Sequence, residues 1–205
     1  MLFDHQAGRW ESEKERNLYS KFFAGYFFNE LVPGWEERLA AFCALLETKA
    51  QEVLFPRPRP IALIPSHTHV SFDNHIWRLS QYDRGEFADI LIYDNALWIT
   101  IEAKFLSRFS CDKDIICNLN RIASIPAARL NGGAVVPCLL LTNSLKRGAI
   151  DQHLNNHPDS QWTRYLEEFK NQILVVTWEE LLGCVHAPSI QQYFQMMLAP
   201  EQRGF

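Results

Sequence analysis

The sequence predicts an α/β fold with α+β character, in which helices flank a central mixed β-sheet. Three observations lead to this class. The chain starts with apolar residues at helical spacing, continues with two apolar runs joined by turn residues, and later carries two continuous apolar runs. An antiparallel hairpin followed by fully buried strands is typical of a sheet that is antiparallel at one side and parallel at the other.

Two helices are predicted at the beginning of the chain. In residues 11–31, four apolar side chains recur near helical spacing: Leu18, Phe22, Tyr26 and Leu31. Ser12 with Glu15 fits a capping box at the start of this helix, and Pro33 with the glycine after it marks the end. Residues 35–54 repeat the apolar spacing, so the chain opens with a helical pair.

The remaining elements alternate between strands and helices. A short strand is predicted at 61–64 (IALI) and another within 69–82, and the strands 88–93 and 97–103 flank the turn residues Asp94 and Asn95. The later elements are a helix at 112–129, a buried strand at 134–142, a helical stretch within 148–170, a second buried strand at 173–178 and two closing helices.

The composition restricts the class of protein. The 205 residues, 47% of them hydrophobic, suffice for one core, so we interpret residues 1–205 as a single domain. The net charge of −4 provides no overall basic field, so nucleic-acid binding needs a local basic patch. The five scattered cysteines, the lack of a signal peptide and the lack of a membrane-length apolar run predict a cytoplasmic protein without membrane contact.

The predicted hairpin carries charged residues at its open end. With a turn centred between residues 95 and 96, Asp89 of the first strand lies opposite Glu102 of the second. Lys104 follows two residues later and points to the same face as Glu102. Two carboxylates in this position repel each other unless a positive charge lies between them, and Mg²⁺ accepts such a ligand pair together with waters and phosphate oxygens. The alternative is a surface salt bridge of little energetic value.

This pattern resembles the PD-(D/E)XK nuclease superfamily, whose members have the restriction-endonuclease-like fold. Ala88-Asp89 stands where the family has "PD", and Glu102-Ala103-Lys104 stands for "(D/E)XK". The family core is a helix, a three-stranded meander, a helix and a strand, which the predicted elements match over residues 12–142. Residues 143–205 are then a C-terminal extension with an added strand and helices.

The resemblance implies a Mg²⁺- or Mn²⁺-dependent nuclease that hydrolyses phosphodiester bonds, with DNA as the expected partner. Asp89, Glu102 and the carbonyl of Ala103 would bind the metal, and Lys104 would position or activate the attacking water. Glu15, on the first helix, would join the catalytic site as an outer ligand of the metal. Glu15 also fits the capping box, and that interpretation stays open.

Four further residues are candidates for substrate binding. The segment Asn118-Leu119-Asn120-Arg121-Ile122 is similar to the "QL-RY" segment of many relatives, with the shorter asparagine in place of glutamine. By this similarity Asn118 and Arg121 would contact the substrate. Arg108 and Lys113 add basic charge nearby and could hold phosphates, or could belong to a solvated helix face.

Three alternatives to a nuclease remain open. The first is a catalytically silent module of the same fold that binds nucleic acid or a partner protein. The second is a phosphatase-like enzyme that acts on small phosphoesters. The third is a zinc site at His67, His69 and His75 with Asp73, which have ligand chemistry but lack a helical frame. A homodimer is compatible with each of these functions.

Overall fold

A computed structural model describes residues 22–55, 60–72, 89–94, 96–105, 133–143, 155–156 and 172–192. The helical elements are a π-helical turn at Phe23–Phe27, helix α1 at Trp35–Glu52, a 3₁₀ turn at Pro65–His67 and helix α2 at Trp178–Gly183. The strands are β1 (His69–Phe72), β2 (Ile90–Tyr93), β3 (Leu97–Ala103), β4 (Ala134–Leu141) and β5 (Leu174–Thr177). Residues 188–192 are also helical.

The five strands form one mixed sheet in the order β1-β2-β3-β4-β5. Strands β1, β2 and β3 pair antiparallel, whereas β3, β4 and β5 pair parallel. The predicted mixed sheet is therefore confirmed. Because β3 lies between an antiparallel and a parallel neighbour, its carboxyl end lies beside both the start of β2 and the ends of the parallel strands.

The main core lies on one face of this sheet. The inward side chains of the three central strands meet phenylalanines that precede α1 and leucines of α1 itself; the buried set includes Ile90, Ile92, Ile99, Ile101, Val136, Leu140, Phe22, Phe23, Phe27, Leu39 and Leu46. Full burial of each large apolar side chain stabilises the fold by about 1.5–3 kcal/mol. Leu91, Leu139 and Leu141 alternate to the other face and are buried as well, as expected for continuous apolar runs.

The first predicted helix differs from the structure at its carboxyl end. The helical turn ends after Phe27, and Leu31, which we assigned to the apolar side of this helix, is 84% exposed. Asn29 accounts for the early end, because its side-chain Oδ1 accepts a hydrogen bond from the Leu31 backbone N–H at 2.9 Å. The predicted helix at 35–54 is confirmed as α1, with bounds two residues shorter at its end.

The predicted strand at 61–64 is wrong. Ile64 has an extended backbone, but the segment joins no strand. Its backbone donors instead meet side chains, since Ile61 N–H donates to Glu47 Oε2 at 3.0 Å and Ile64 N–H donates to Asp94 Oδ2 at 3.3 Å. Apolar burial of Ile61 and Leu63 explains the run without a β-ladder.

The remaining strand predictions hold to within a few residues, with one informative exception. We assigned Trp178 to the last strand, but it is the first residue of α2. The predicted helices at 112–129 and within 148–170 lie outside the described residues, apart from 155–156. Within the described segments, no helix combines the length and the apolar character needed to span a bilayer.

Candidate active site

The hairpin register places Asp89 and Glu102 side by side. Ile90 pairs with Ile101, Leu91 with Thr100, Ile92 with Ile99 and Tyr93 with Trp98. This is the register predicted from the turn, and one further step along it sets Asp89 opposite Glu102. The Asp94 side chain fixes the turn, because its Oδ1 accepts the backbone N–H groups of Ala96 and Leu97, both at 2.7 Å.

The hydrogen-bonding pattern of the ladder indicates how Asp89 and Glu102 are placed relative to each other. The Asp94 backbone N–H donates to Leu97 O at 3.0 Å, so residues 94 and 97 form a hydrogen-bonded pair. Such pairs alternate with non-hydrogen-bonded pairs, whose side chains lie closer. Tyr93 and Trp98 form a non-hydrogen-bonded pair, and their rings stack at 4.6 Å. If this alternation is continued to the residue before β2, four positions from Tyr93, Asp89 and Glu102 also form a non-hydrogen-bonded pair.

Both carboxylates make short hydrogen bonds at the end of β3. Asp89 Oδ2 accepts the backbone N–H of Ala103 at 2.7 Å. Because N–H and C=O of an extended residue point to the same side of the strand, the Ala103 carbonyl is directed toward the Asp89 side. Glu102 Oε1 lies 2.7 Å from Lys104 Nζ, and these two side chains are 17% and 16% exposed. This ion pair is therefore mostly buried, at the carboxyl end of the central strand.

Lys104 lies just beyond β3, but hydrogen bonds of its backbone N–H and C=O groups hold it in place. Its N–H donates to Leu140 O of β4 at 2.8 Å. Its carbonyl accepts the indole N–H of Trp178 at 3.1 Å. Trp178 was not among the predicted site residues, because no local sequence pattern links it to Lys104, which lies 74 positions earlier.

The donor set fits a small divalent cation. Two carboxylates and a backbone carbonyl at one strand end are hard oxygen ligands, and Mg²⁺ commonly binds one or two protein carboxylates while keeping several waters. A cage made wholly of protein groups is not found: within the described residues, no cluster of three or more His, Cys, Asp or Glu side chains could hold a metal ion.

The described cysteines are poor candidates for catalysis or metal binding. Burial raises the pKa of the Cys43 thiol to about 11, with a smaller lowering by a backbone hydrogen bond at Leu63 and a smaller raising by the Asp94 charge. Burial raises the pKa of Cys138 to about 12 and also raises that of Cys184. These thiols stay protonated at neutral pH, whereas a nucleophile or metal ligand needs the thiolate.

The structure brings together Asp89, Glu102, Ala103 and Lys104. Five other residues predicted to belong to the site lie outside the described residues: Glu15, Arg108, Lys113, Asn118 and Arg121. His75 of the zinc alternative also lies outside them. His69 is described and packs against the Tyr93 ring at 5.3 Å on β1, at the turn end of the hairpin.

Comparison with known proteins gives no match: no family model, no curated protein and no solved structure is similar to the chain.

Proposed function

We propose that the protein is a Mg²⁺- or Mn²⁺-dependent nuclease with a restriction-endonuclease-like core, and that DNA is its substrate. The observation that carries the proposal is the hairpin register, which sets Asp89 opposite Glu102 when it is continued by one residue, together with the 2.7 Å distance from Lys104 Nζ to Glu102 Oε1. The resemblance in the sequence assigns these same three residues to metal binding and water activation.

The strand arrangement supports the proposed core. The resemblance requires a three-stranded meander, then a helix and a further strand, with the acids and the lysine on the second and third strands. Strands β1 to β3 form such a meander, and β4 follows as a parallel neighbour of the third strand. Asp89 precedes β2, and Glu102 lies within β3.

In the proposed mechanism, the residues at the carboxyl end of β3 orient the phosphodiester and a water. Asp89, Glu102 and the Ala103 carbonyl would hold the cation, whose contribution there would be Lewis-acid chemistry toward the phosphate and a water. Lys104 presents its amine on the same face as Glu102, where it can orient the attacking water or offset negative charge that develops on the phosphorus. Glu102 in turn keeps the amine in place through their 2.7 Å contact.

Cleavage of supercoiled plasmid in the presence of Mg²⁺ or Mn²⁺ tests this proposal. We expect nicking by the unaltered chain, and a loss of about 10²-fold or more in Lys104→Ala, Asp89→Asn and Glu102→Gln, since each removes a group that acts on the reacting atoms. Glu52→Gln is the matched control: Glu52 also pairs with a lysine, at 3.3 Å, but is 55% exposed and lies on α1. Cleavage that persists unchanged in Lys104→Ala refutes the assignment.

A silent module that binds nucleic acid or a partner protein is the second candidate. The specific observation in its favour is the short Glu102–Lys104 contact, because an ion pair already neutralises one carboxylate without a metal. This candidate predicts no metal-dependent cleavage by any preparation and equal DNA affinity with and without Mg²⁺. The nuclease predicts tighter DNA binding when the metal is present.

A further inference from the structure

We infer that Trp178 is a positioning residue for Lys104, and this inference rests on the proposed function of Lys104. Trp178 is fully buried at the start of α2, directly after β5. Its indole N–H donates to the Lys104 carbonyl at 3.1 Å. Trp178 does not face the reacting atoms, so it acts through the backbone of Lys104.

The geometry of the backbone explains how the hydrogen bond from Trp178 can set the direction of the Lys104 side chain. The peptide plane before Lys104 is held by its N–H, which donates to Leu140 O at 2.8 Å. The peptide plane after Lys104 is held by the bond from Trp178. Because φ and ψ are the only soft backbone angles of a residue, fixing both planes fixes both angles. The direction of the Cα–Cβ bond, and hence the origin of the side chain, is then set.

The ring of Trp178 has a separate role from its N–H group. It packs edge-on against Phe105 with ring centroids 5.2 Å apart, and it contacts Phe22 and Phe23 at 6.1 and 5.9 Å. A phenylalanine at position 178 keeps an aromatic ring in this cluster but removes the donor. Trp178→Phe therefore separates positioning of Lys104 from packing of the core.

Trp98 supplies a matched control. Trp98 is also a partly buried tryptophan, and its ring stacks on the Tyr93 ring. Its Nε1 is buried, and within the described residues it is one of two buried side-chain polar atoms without a hydrogen-bond partner. Trp98→Phe thus deletes an indole N–H that donates to nothing in the described chain.

The test compares Trp178→Phe with Trp98→Phe in two measurements. In steady-state cleavage of a short duplex with Mg²⁺, Trp178→Phe is expected to lower kcat roughly 10-fold or more, as loss of a supporting contact in a site commonly does, while KM changes less than about twofold because substrate contacts remain. In NMR relaxation of the lysine Cε carbons, assigned by Lys104→Gln, the Lys104 signal is expected to gain mobility. Trp98→Phe is expected to change neither quantity.

Equal kcat values in the two variants, or Lys104 mobility that is unchanged in Trp178→Phe, overturn the inference. A wild-type chain that fails to cleave DNA contradicts the proposed function alone, and the mobility comparison still decides the positioning role. If Trp178→Phe does not fold, the hydrogen bond is tested by NMR in the unaltered chain. The chemical shift of the Trp178 indole proton is expected to have a smaller temperature coefficient than that of the Trp98 indole proton. Equal coefficients refute the hydrogen bond.

Discussion

At the scale of single residues, two charged side chains are buried in the described part of the chain, Arg38 and Asp94. Each forms hydrogen bonds with backbone groups that helices and strand ladders leave without such a partner. Arg38 donates to the carbonyls of Phe27, Pro33, Tyr26 and Val32 at 2.8–3.2 Å. Its guanidinium also lies 4.5 Å from the centre of the Tyr26 ring. A planar fork with five donors can span several carbonyls in this way, whereas an ammonium cannot.

Replacing Arg38 is expected to destabilise the connection between the π-helical turn and α1. Arg38→Met removes a donor from four carbonyls, of which Tyr26 O keeps the Asn29 N–H, and should lower the free energy of unfolding by about 3 kcal/mol. Arg38→Lys keeps the charge but loses the fork, so we expect it to lose most of the same stability. Urea denaturation followed by circular dichroism measures both variants, with the exposed Glu52→Gln as reference. An Arg38→Lys variant as stable as the unaltered chain would contradict this role.

The candidate site shows which residue roles a sequence can reveal. Asp89 and Glu102 could be paired from the sequence because a short hairpin makes their contact local and its register countable. Arg38 and Trp178 could not be found in this way. Their partners are backbone carbonyls whose positions depend on the early end of a helix in one case and on the packing of a distant strand in the other.

At the scale of elements, hydrogen bonding of the backbone decides where apolar segments become strands. The runs at 90–93, 97–103 and 134–141 find ladder partners and are strands, as the sequence predicts. The run at 61–64 is equally apolar, but Glu47 and Asp94 take its N–H groups. Those acceptors lie 14 and 30 residues away in the chain, so periodicity in the segment itself could not indicate them.

Helix α2 begins abruptly because Thr177 and Glu180 form a capping box. Thr177 Oγ1 accepts the Glu180 N–H at 3.1 Å, and Glu180 Oε2 accepts the Thr177 N–H at 2.8 Å. Glu180 Oε1 also lies 2.6 Å from Lys49 Nζ of α1. Burial lowers the pKa of Lys49, but the hydrogen bonds and charges of Glu180 and Glu52 outweigh that effect and raise it. The cap therefore fixes both the start of α2 and its contact with α1.

Thr177→Val removes the capping oxygen while keeping the shape of the side chain. We expect the free energy of unfolding to fall by about 1 kcal/mol, as for other lost N-caps. Thr48→Val is the control, because Thr48 is exposed within α1 and its hydroxyl only donates to Ala44 O at 3.0 Å; its change should stay within about 0.5 kcal/mol. Thermal and urea unfolding compare the two, and an equal loss in both would show that the cap contributes nothing specific.

At the scale of the whole molecule, the proposed site lies at the carboxyl end of β3, the strand that pairs antiparallel with β2 and parallel with β4. The class of the sheet followed from the sequence because continuous apolar runs distinguish buried parallel strands from a hairpin with polar ends. The observed pairing agrees with this prediction, since β1 to β3 pair antiparallel and β3 to β5 pair parallel. The support that Lys104 receives from β4 and from Trp178 depends on this assembly, since both partners are brought to it only when the parallel strands pair.

The proposed function depends on whether Asp89 and Glu102 together hold a divalent cation. The most direct measurement is anomalous scattering from a crystal soaked in Mn²⁺, with a Glu102→Gln crystal soaked in the same way. We predict a single strong anomalous peak between the two carboxylates, about 2.1 Å from an oxygen of each, and a much weaker peak in the variant. No peak there at saturating Mn²⁺, or a peak of equal height in the variant, would contradict the proposed metal site.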